Sequence, residues 1–195
     1  LLSIDEPFNV DVMVVDDGSD EKPDYDKLRD LYKNGNLFIE YLPYNMGVGI
    51  AANHGLKKIQ EMDYELIGRL DCGDLNKKNK YKYQIEYLEK NPHIKLLGTW
   101  ADVVDENGNH IYTLQHPVSF KELKKKIYIN SVFINPTVIF YTNILKTVGN
   151  YPEKYRRAAQ DYAFFFKVIK DFQAENLPQS LLYYVVEERD RKSVV

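Results

Sequence analysis

The stretch Val10-Asp11-Val12-Met13-Val14-Val15-Asp16-Asp17-Gly18-Ser19 decides the fold class. Its apolar, valine-rich part predicts a short buried strand, and its polar part predicts the turn that ends that strand. The alternation of strand and helix then continues: helices are predicted over residues 24–33, 47–62 and 77–90, and strands over residues 37–42 and 65–70. Strands that alternate with helices are typical of βαβ units, so we expect an α/β fold with a mostly parallel central sheet flanked by helices.

The second half of the chain follows a different pattern. Residues 94–104 and 110–114 are predicted strands joined by a turn that contains Asn107-Gly108, a pair typical of hairpins. A capping box of Ser119 and Glu122, followed by Leu123 and Ile127 on one face, predicts a helix. The remaining predicted elements are a strand over residues 137–141, a helix over 161–170 and a last strand over 181–186. No change of composition marks a linker, so one domain over residues 1–195 is expected.

Composition and charge limit the classes of function. The chain has 26 basic and 29 acidic side chains and a formal net charge of −3, which gives no electrostatic reason to expect nucleic acid as a partner. No apolar run approaches the ~20 residues of a membrane-spanning helix. The single cysteine, Cys72, argues against a disulfide framework or a Cys-based zinc site, so a reducing, cytoplasmic compartment is expected. The acidic start is not typical of a signal peptide, and a first residue other than Met suggests a fragment.

Carboxylates end two of the predicted parallel strands. Asp16 and Asp17 follow the first strand, and Asp71 and Asp74 follow the third. Ligands of open α/β sheets bind beyond the carboxyl ends of the strands, and adjacent strands would bring these like charges together, so a divalent cation is the natural partner. Mg²⁺ or Mn²⁺ with oxygen ligands usually brings a phosphate-bearing substrate. The alternative is that each cluster only forms a turn, since Asp-Gly-Ser is turn chemistry.

A glycine-containing segment, Asn45-Met46-Gly47-Val48-Gly49, leads into a predicted helix. Backbone N–H groups at a helix N-terminus can hold a phosphate, although the spacing matches neither a Walker loop nor the Rossmann fingerprint. A tight turn without a ligand is an equally good interpretation.

Short motifs follow one another over nearly the whole chain. In order they are Val14-Val15-Asp16-Asp17-Gly18-Ser19, Asn45-Met46-Gly47, Ala51-Ala52-Asn53-His54-Gly55, Arg69-Leu70-Asp71-Cys72-Gly73-Asp74, Leu97-Gly98-Thr99-Trp100, Asn135-Pro136-Thr137-Val138, Gly149-Asn150-Tyr151 and Gln160-Asp161-Tyr162. Together they resemble the inverting family 2 glycosyltransferases, which have the GT-A fold. The resemblance implies a nucleotide-sugar-binding half over residues 1–92 and an acceptor-side half over residues 93–195. It also implies that the family's opening strand would precede residue 1.

The resemblance implies roles for individual residues. Asp17 matches the acid that hydrogen-bonds the nucleotide base, usually uracil. Asp71 and Asp74 match the outer positions of an Asp-x-Asp-Asp run, whose last Asp binds the metal on the donor diphosphate, and Asp71 is a second metal or ribose ligand. Asp161 matches the catalytic base. The other residues assigned to donor binding are Asp16, Asn45, Gly47 and Arg69.

The implied activity is an inverting transfer, dependent on Mn²⁺ or Mg²⁺, of a hexosyl or N-acetylhexosaminyl group from a nucleoside-diphosphate sugar. The expected donor is a UDP-sugar, and the acceptor is a hydroxyl of a glycan or of a lipid-linked acceptor, as in bacterial polysaccharide biosynthesis. The expected location is the cytoplasm, at the inner face of the membrane. Lys124-Lys125-Lys126 is predicted to be a solvated helix face, with a weak role at an anionic membrane surface as the alternative.

Three positions depart from the family's pattern. Gly73 replaces an Asp, which affects metal affinity and donor choice, whereas Gln160 in place of Glu and Asn135 in place of His affect acceptor positioning. Two alternatives remain open: a relative that binds the nucleotide sugar without catalysis, and a nucleotidyltransferase, which also uses paired carboxylates and a metal. A phospho-acceptor receiver domain shares the acidic opening, but Asp71 comes too late in the chain for it.

Overall fold

Helices and strands alternate in the first half of the chain, as the sequence predicts. The computed structural model describes residues 2–153 and 159–186. Its strands are β1 (Val12–Asp16), β2 (Leu37–Tyr41), β3 (Leu66–Gly68), β4 (Leu75–Asn76), β5 (Ile94–Asp105), β6 (His110–Leu114), β7 (Ile139–Tyr141) and β8 (Gln173–Val186). Its helices are α1 (Tyr25–Leu31), α2 (Val48–Glu61), α3 (Lys80–Lys90), α4 (Phe120–Lys126), α5 (Leu145–Val148) and α6 (Gln160–Asp171), with 3₁₀ turns at Asn135–Thr137 and Thr142–Ile144. The α/β class is confirmed. No helix in the described ranges has both the length and the apolarity that crossing a bilayer requires.

The strands form two sheets instead of one. β1 and β2 pair in parallel, in register from Val12 opposite Leu37 to Asp16 opposite Tyr41. The larger sheet has the strand order β3-β7-β5-β8-β4, with β6 paired to β5. Of its pairs in the described residues, only β5 with β8 is parallel. The expected mostly parallel sheet is therefore wrong: β7 inserts between β3 and β5, antiparallel to both, and the sheet is mixed.

The last strand is longer than predicted. β8 has 14 residues, whereas the sequence predicts only its final part, residues 181–186. Its parallel pairing with β5 is interrupted after Leu177 and resumes at Ser180. Pro178 lies in this bulge, where its missing N–H costs no ladder hydrogen bond.

The main hydrophobic core packs between the larger sheet and α6. Phe164, Phe165 and Val168 of α6 are fully buried in one cluster with Leu96 of β5 and Phe140 of β7. Burial of each large apolar side chain contributes about 2 kcal/mol. This packing fixes the position of α6 relative to the strand ends that carry the acidic residues.

A cavity of about 1180 Å³ is lined by residues of both sheets. β1 and β3 both line it, and so do apolar side chains such as Leu56 of α2 and Ile85 of α3. β1 is half-buried instead of the buried strand predicted, because among the described strands it pairs only with β2. β1 and β3 are thus not the adjacent strands that the sequence predicts; the acidic turns that follow them line one cavity without belonging to neighbouring strands.

Candidate active site

The turn after β1 holds Asp16 in a fixed position. One carboxylate oxygen accepts a hydrogen bond from the Ser19 amide at 2.8 Å, and the other accepts one from the Tyr25 hydroxyl at 3.0 Å. The Ser19 amide is the main reason why the pKa of Asp16 lies below its ordinary value. The residue is only 4% exposed. Its carboxylate shapes the turn in this structure, and its part in donor binding stays a prediction.

Asp17 connects the turn after β1 to the segment before α2. Its two carboxylate oxygens accept hydrogen bonds from the amides of Met46 and Gly47, at 2.8 and 2.9 Å. Gly18 permits the close approach, because its φ is +71° and a Cβ there would lie 2.3 Å from a backbone carbon of the same segment. These two amides are therefore already paired, which is the tight-turn interpretation of the segment. A carboxylate keeps further lone pairs, so base recognition by Asp17 and the donor roles of Asn45 and Gly47 stay predictions.

The residues after β3 form a polar cluster around Asp71 on the other side of the cavity. The Asp71 carboxylate accepts hydrogen bonds from Arg69 Nη2 at 3.2 Å and from Asn135 Nδ2 at 3.2 and 3.3 Å. The Tyr151 hydroxyl donates to Asn135 Oδ1 at 3.3 Å, and the Arg69 guanidinium lies 5.7 Å from the centre of the Tyr151 ring. Burial alone would lower the pKa of Arg69, but Tyr151 and Asp71 raise it. A permanent positive charge therefore lies beside Asp71, whose side chain is 38% exposed.

Asp74 lies at the end of the turn that leads from β3 into β4. It is 8% exposed, and its Oδ1 accepts a hydrogen bond from the Val185 amide of β8 at 3.0 Å. Burial raises the pKa of Asp74 to about 6; Val185 and Lys80 act in the opposite direction, and Asp71 adds to the increase. A cation bound beside Asp74 would favour its ionised form, which is the form that binds a metal.

A buried lysine connects the segments of the site. Lys80, at the start of α3, is fully buried. Its ammonium donates to the Arg69 carbonyl at 3.3 Å, to Asn76 Oδ1 at 2.9 Å and to the Pro136 carbonyl at 2.7 Å. Burial lowers the pKa of Lys80 to about 7, although nearby carboxylates raise it in part. One side chain thus holds together the end of β3, β4 and the 3₁₀ turn of residues 135–137.

The residues predicted to bind the sugar donor and the metal line the cavity, whereas the predicted catalytic base does not. The residues of that set on its wall are Asp16, Asp17, Asn45, Gly47, Arg69, Asp71 and Asp74. Asp161 lies in the first turn of α6, where its Oδ1 accepts a hydrogen bond from the Tyr162 amide at 2.8 Å. Burial is the main reason why the pKa of Tyr151 is raised, and the nearby charge of Asp161 adds to this increase. Asp161 therefore lies at the Tyr151 end of the polar cluster.

Comparison with known proteins places these motifs in a family. The sequence profile described as Glycosyl transferase family 2 matches residues 1–148. The chain belongs to this family. It is 31% identical over 148 residues to an uncharacterized glycosyltransferase of Methanocaldococcus jannaschii, a match that covers 75% of this chain and 49% of that protein. It is 27% identical over 142 residues to the Escherichia coli UDP-Gal:alpha-D-GlcNAc-diphosphoundecaprenol beta-1,3-galactosyltransferase, covering 72% of this chain and 50% of that enzyme. The chain spans about half the length of these relatives.

Two solved structures illustrate the similarity of fold. S. aureus TarS 1–349 in complex with UDP has a TM-score of 0.71 at 23% identity, covering 99% of this chain and 56% of that one. GalNAc-T7 with UDP, GalNAc and Mn²⁺ has a TM-score of 0.65 at 13% identity, covering 90% of this chain and 38% of that one. The family 2 chain therefore has the GT-A fold.

The metal-ligating side chains of this family 2 chain fit a divalent cation that is bound together with a substrate. No group of three His, Cys, Asp or Glu side chains in the described ranges could hold a metal ion alone. Mg²⁺ and related cations are commonly bound by one or two carboxylates together with substrate phosphates and water. Asp71 and Asp74, whose charges already influence one another, supply such a pair.

Three residues of this family 2 site were missed by the sequence analysis. Tyr25 and Tyr151 lie near or within the quoted motifs. Nothing in their spacing predicts that Tyr25 donates a hydrogen bond to Asp16 or that Tyr151 donates one to Asn135. Lys80 lies among several lysines at the start of a helix, where exposure is the usual state. Its burial depends on the Pro136 carbonyl, 56 residues away in the chain. No local signal could have found it.

Proposed function

We propose that this chain is the donor-binding and catalytic part of an inverting, metal-dependent glycosyltransferase that uses a UDP-sugar. The observation that carries the proposal is that Asp17, Asp71 and Asp74 line the same cavity. The name of the E. coli relative supports a UDP-sugar donor, and the UDP of the TarS complex agrees with it.

The acceptor in this proposal is a hydroxyl group of a glycan or of a lipid-linked acceptor. The E. coli relative is named for a sugar carried on diphosphoundecaprenol. An acceptor of that kind would place the reaction in the cytoplasm, at the inner face of the membrane.

The chemistry follows from the charges of the site. Asp74 and Asp71 would hold Mn²⁺ or Mg²⁺, which when bound stabilises the negative charge that develops on the diphosphate leaving group. Asp17 accepts the N3–H of uracil. Asp161 takes the proton of the acceptor hydroxyl as that oxygen attacks the face of the sugar opposite the leaving group, so the anomeric centre is inverted.

A thermal-shift assay with nucleoside diphosphates tests this function. UDP with Mn²⁺ is expected to raise the melting temperature, since a ligand that binds only the folded state contributes about 2.7 kcal/mol at a hundredfold excess over its Kd. Asp74→Asn keeps the shape and removes the charge, so the metal-dependent part of the shift is expected to disappear. Asp30→Asn, at an exposed position of α1, is the matched control and is expected to keep it.

Further arms of the assay separate the alternatives. Asp17→Ala is expected to reduce the preference for UDP over other nucleoside diphosphates; a turn-stabilising Asp17 would instead lower stability with the preference unchanged. No stabilisation by any nucleoside diphosphate in the presence of metal would refute the proposal. Donor binding without sugar transfer would favour a relative that binds the nucleotide sugar and does not catalyse.

A further inference from the structure

The most exposed large apolar side chains of the described residues are neighbours in sequence. Ile129 is 85% exposed and Tyr128 is 70% exposed. They follow α4, whose Leu123 and the adjoining Ile127 are buried at 0% and 2% exposure and anchor the segment to the core. With Leu123 and Ile127 turned into the core, Tyr128 and Ile129 lie on the surface beside α4.

Four exposed lysines precede this apolar pair in the chain. Lys121, Lys124, Lys125 and Lys126 lie on α4 or at its end, against one acidic residue of the same segment, Glu122. The Glu122 carboxylate accepts a hydrogen bond from the Ser119 hydroxyl at 2.8 Å within a capping box, so it is engaged at the helix start. We call the four lysines with Tyr128 and Ile129 the basic–apolar patch. It concentrates positive charge on a chain whose formal net charge is −3.

We propose that the basic–apolar patch docks the protein on an anionic lipid surface. Exposed apolar side chains beside lysines match a bilayer interface, where the apolar groups enter the acyl boundary and the ammonium groups remain at the headgroups. Each lysine near an anionic leaflet strengthens binding by about fivefold. A second copy of the chain fits the patch less well, because a symmetric interface would set the lysines against one another.

The patch is joined to the helix that carries the proposed base. The Tyr162 hydroxyl donates to the Ile127 carbonyl at 2.5 Å, and the Tyr128 ring packs edge-on against Phe166 with centroids 5.4 Å apart. Asp161 precedes Tyr162 on α6, so docking through the patch would bring a membrane-bound acceptor to the Asp161 side of the site. This last step rests on the proposed function, whereas docking itself does not.

Vesicle co-sedimentation of the full chain tests the docking surface. The chain is expected to sediment with vesicles of equal parts phosphatidylglycerol and phosphatidylcholine, to remain in solution with phosphatidylcholine alone, and to be released by salt. The triple change Lys124→Gln, Lys125→Gln, Lys126→Gln is expected to weaken binding about a hundredfold. Its control removes one exposed lysine from each of three other helices: Lys27→Gln, Lys57→Gln and Lys90→Gln.

The apolar half of the patch has its own matched pair of variants. Tyr128→Ser with Ile129→Ser is expected to weaken binding by at least about tenfold, whereas Ile111→Ser with Tyr112→Ser, an exposed Ile–Tyr pair on β6, is expected to have little effect. If the double variant fails to fold because the Phe166 contact is lost, Ile129→Ser alone provides the test. Absence of binding to anionic vesicles, equal loss in the control variants, or a lipid-free dimer abolished by the patch variants would each overturn the proposal.

Discussion

Asp161 lies in the first turn of α6, where its side chain accepts a hydrogen bond from the Tyr162 amide. Asp161→Asn keeps that acceptor oxygen but removes the base. The transfer rate is therefore expected to fall roughly 10²–10⁴-fold, as measured by release of UDP with the true acceptor. The thermal shift caused by UDP is expected to stay unchanged, because Asp161 is not among the residues that line the cavity.

Asp171→Asn is the control for that change, since Asp171 is an exposed carboxylate at the other end of α6. It is expected to keep the parent rate. If Asp161→Asn also keeps most of the rate, another carboxylate is the base, and the acceptor does not bind at the Tyr151 end of the polar cluster.

Lys80 is expected to make stability depend on pH. Burial lowers its pKa from the ordinary 10.5 to about 7 in the folded state. Between these values the unfolded chain binds more protons than the folded chain, so the contribution of Lys80 to the free energy of unfolding rises with pH. Lys80→Met removes this contribution, which is on the order of 2 kcal/mol between about pH 7 and pH 9.

Urea unfolding at several pH values measures this difference. The parent and the control Lys90→Met, which changes an exposed lysine at the other end of α3, are expected to share the increase in stability, and Lys80→Met is expected to lack it. The slope with pH, not the absolute stability, is the diagnostic quantity, because loss of three hydrogen bonds also affects the folded state. An equal increase in the Lys80→Met variant would mean that folding does not lower the pKa of Lys80.

At the scale of elements, Gly18 decides whether the turn after β1 can pack on the segment before α2. Gly18→Ala is expected to be strongly destabilising, because a Cβ there would lie 2.3 Å from the backbone of Tyr44. Gly108→Ala is the matched control: its φ of +80° carries a similar backbone cost, of about 1–3 kcal/mol, but no atom lies within 4 Å of the added Cβ. The free energy of unfolding of the Gly18 variant is expected to fall further, and UDP affinity is expected to fall with it. Equal losses in the two variants would show that the close packing is not required.

Element types and the β5–β6 hairpin were largely predictable, but the order of the other strands in the larger sheet was not. α2 and α3 lie within three residues of their predicted bounds, because helical periodicity is a local property of the sequence. The first part of β8 was missed because its strand state depends on pairing with β5, nearly 80 residues earlier in the chain. The GT-A fold could be predicted only through the ordered motifs, since composition and periodicity do not specify which strands become neighbours.

At the scale of the whole molecule, the candidate site depends on two sheets of unequal burial. Ile94, Leu96 and Leu97 of β5 are completely buried, whereas Val12 and Val14 of β1 are half-buried beside the cavity. The sequence predicted a single parallel sheet, in which adjacent strands would bring the two acidic turns close together. The observed sheets instead leave a cavity between those turns. This difference could not be read from the alternation of helices and strands, because alternation does not specify that β3 forms an edge of the larger sheet and that β1 pairs only with β2 among the described strands.

Hydrogen exchange of backbone amides is expected to show that the β1–β2 sheet is less stable than the larger sheet. Amides of β1 and β2 should open by local fluctuations and exchange roughly a hundredfold faster than those of β5 and β8, since local stability follows the density of buried contacts. UDP with Mn²⁺ is expected to slow exchange in β1 and at the Met46 and Gly47 amides, because the ligand would connect the two sides of the cavity. β6 is the internal control: it is exposed and absent from the cavity wall, so its exchange is expected to be fast with and without ligand. If β1 and β2 are already as protected as β5 and β8 without ligand, the two sheets unfold as one unit, and the cavity does not divide the molecule into parts of different stability.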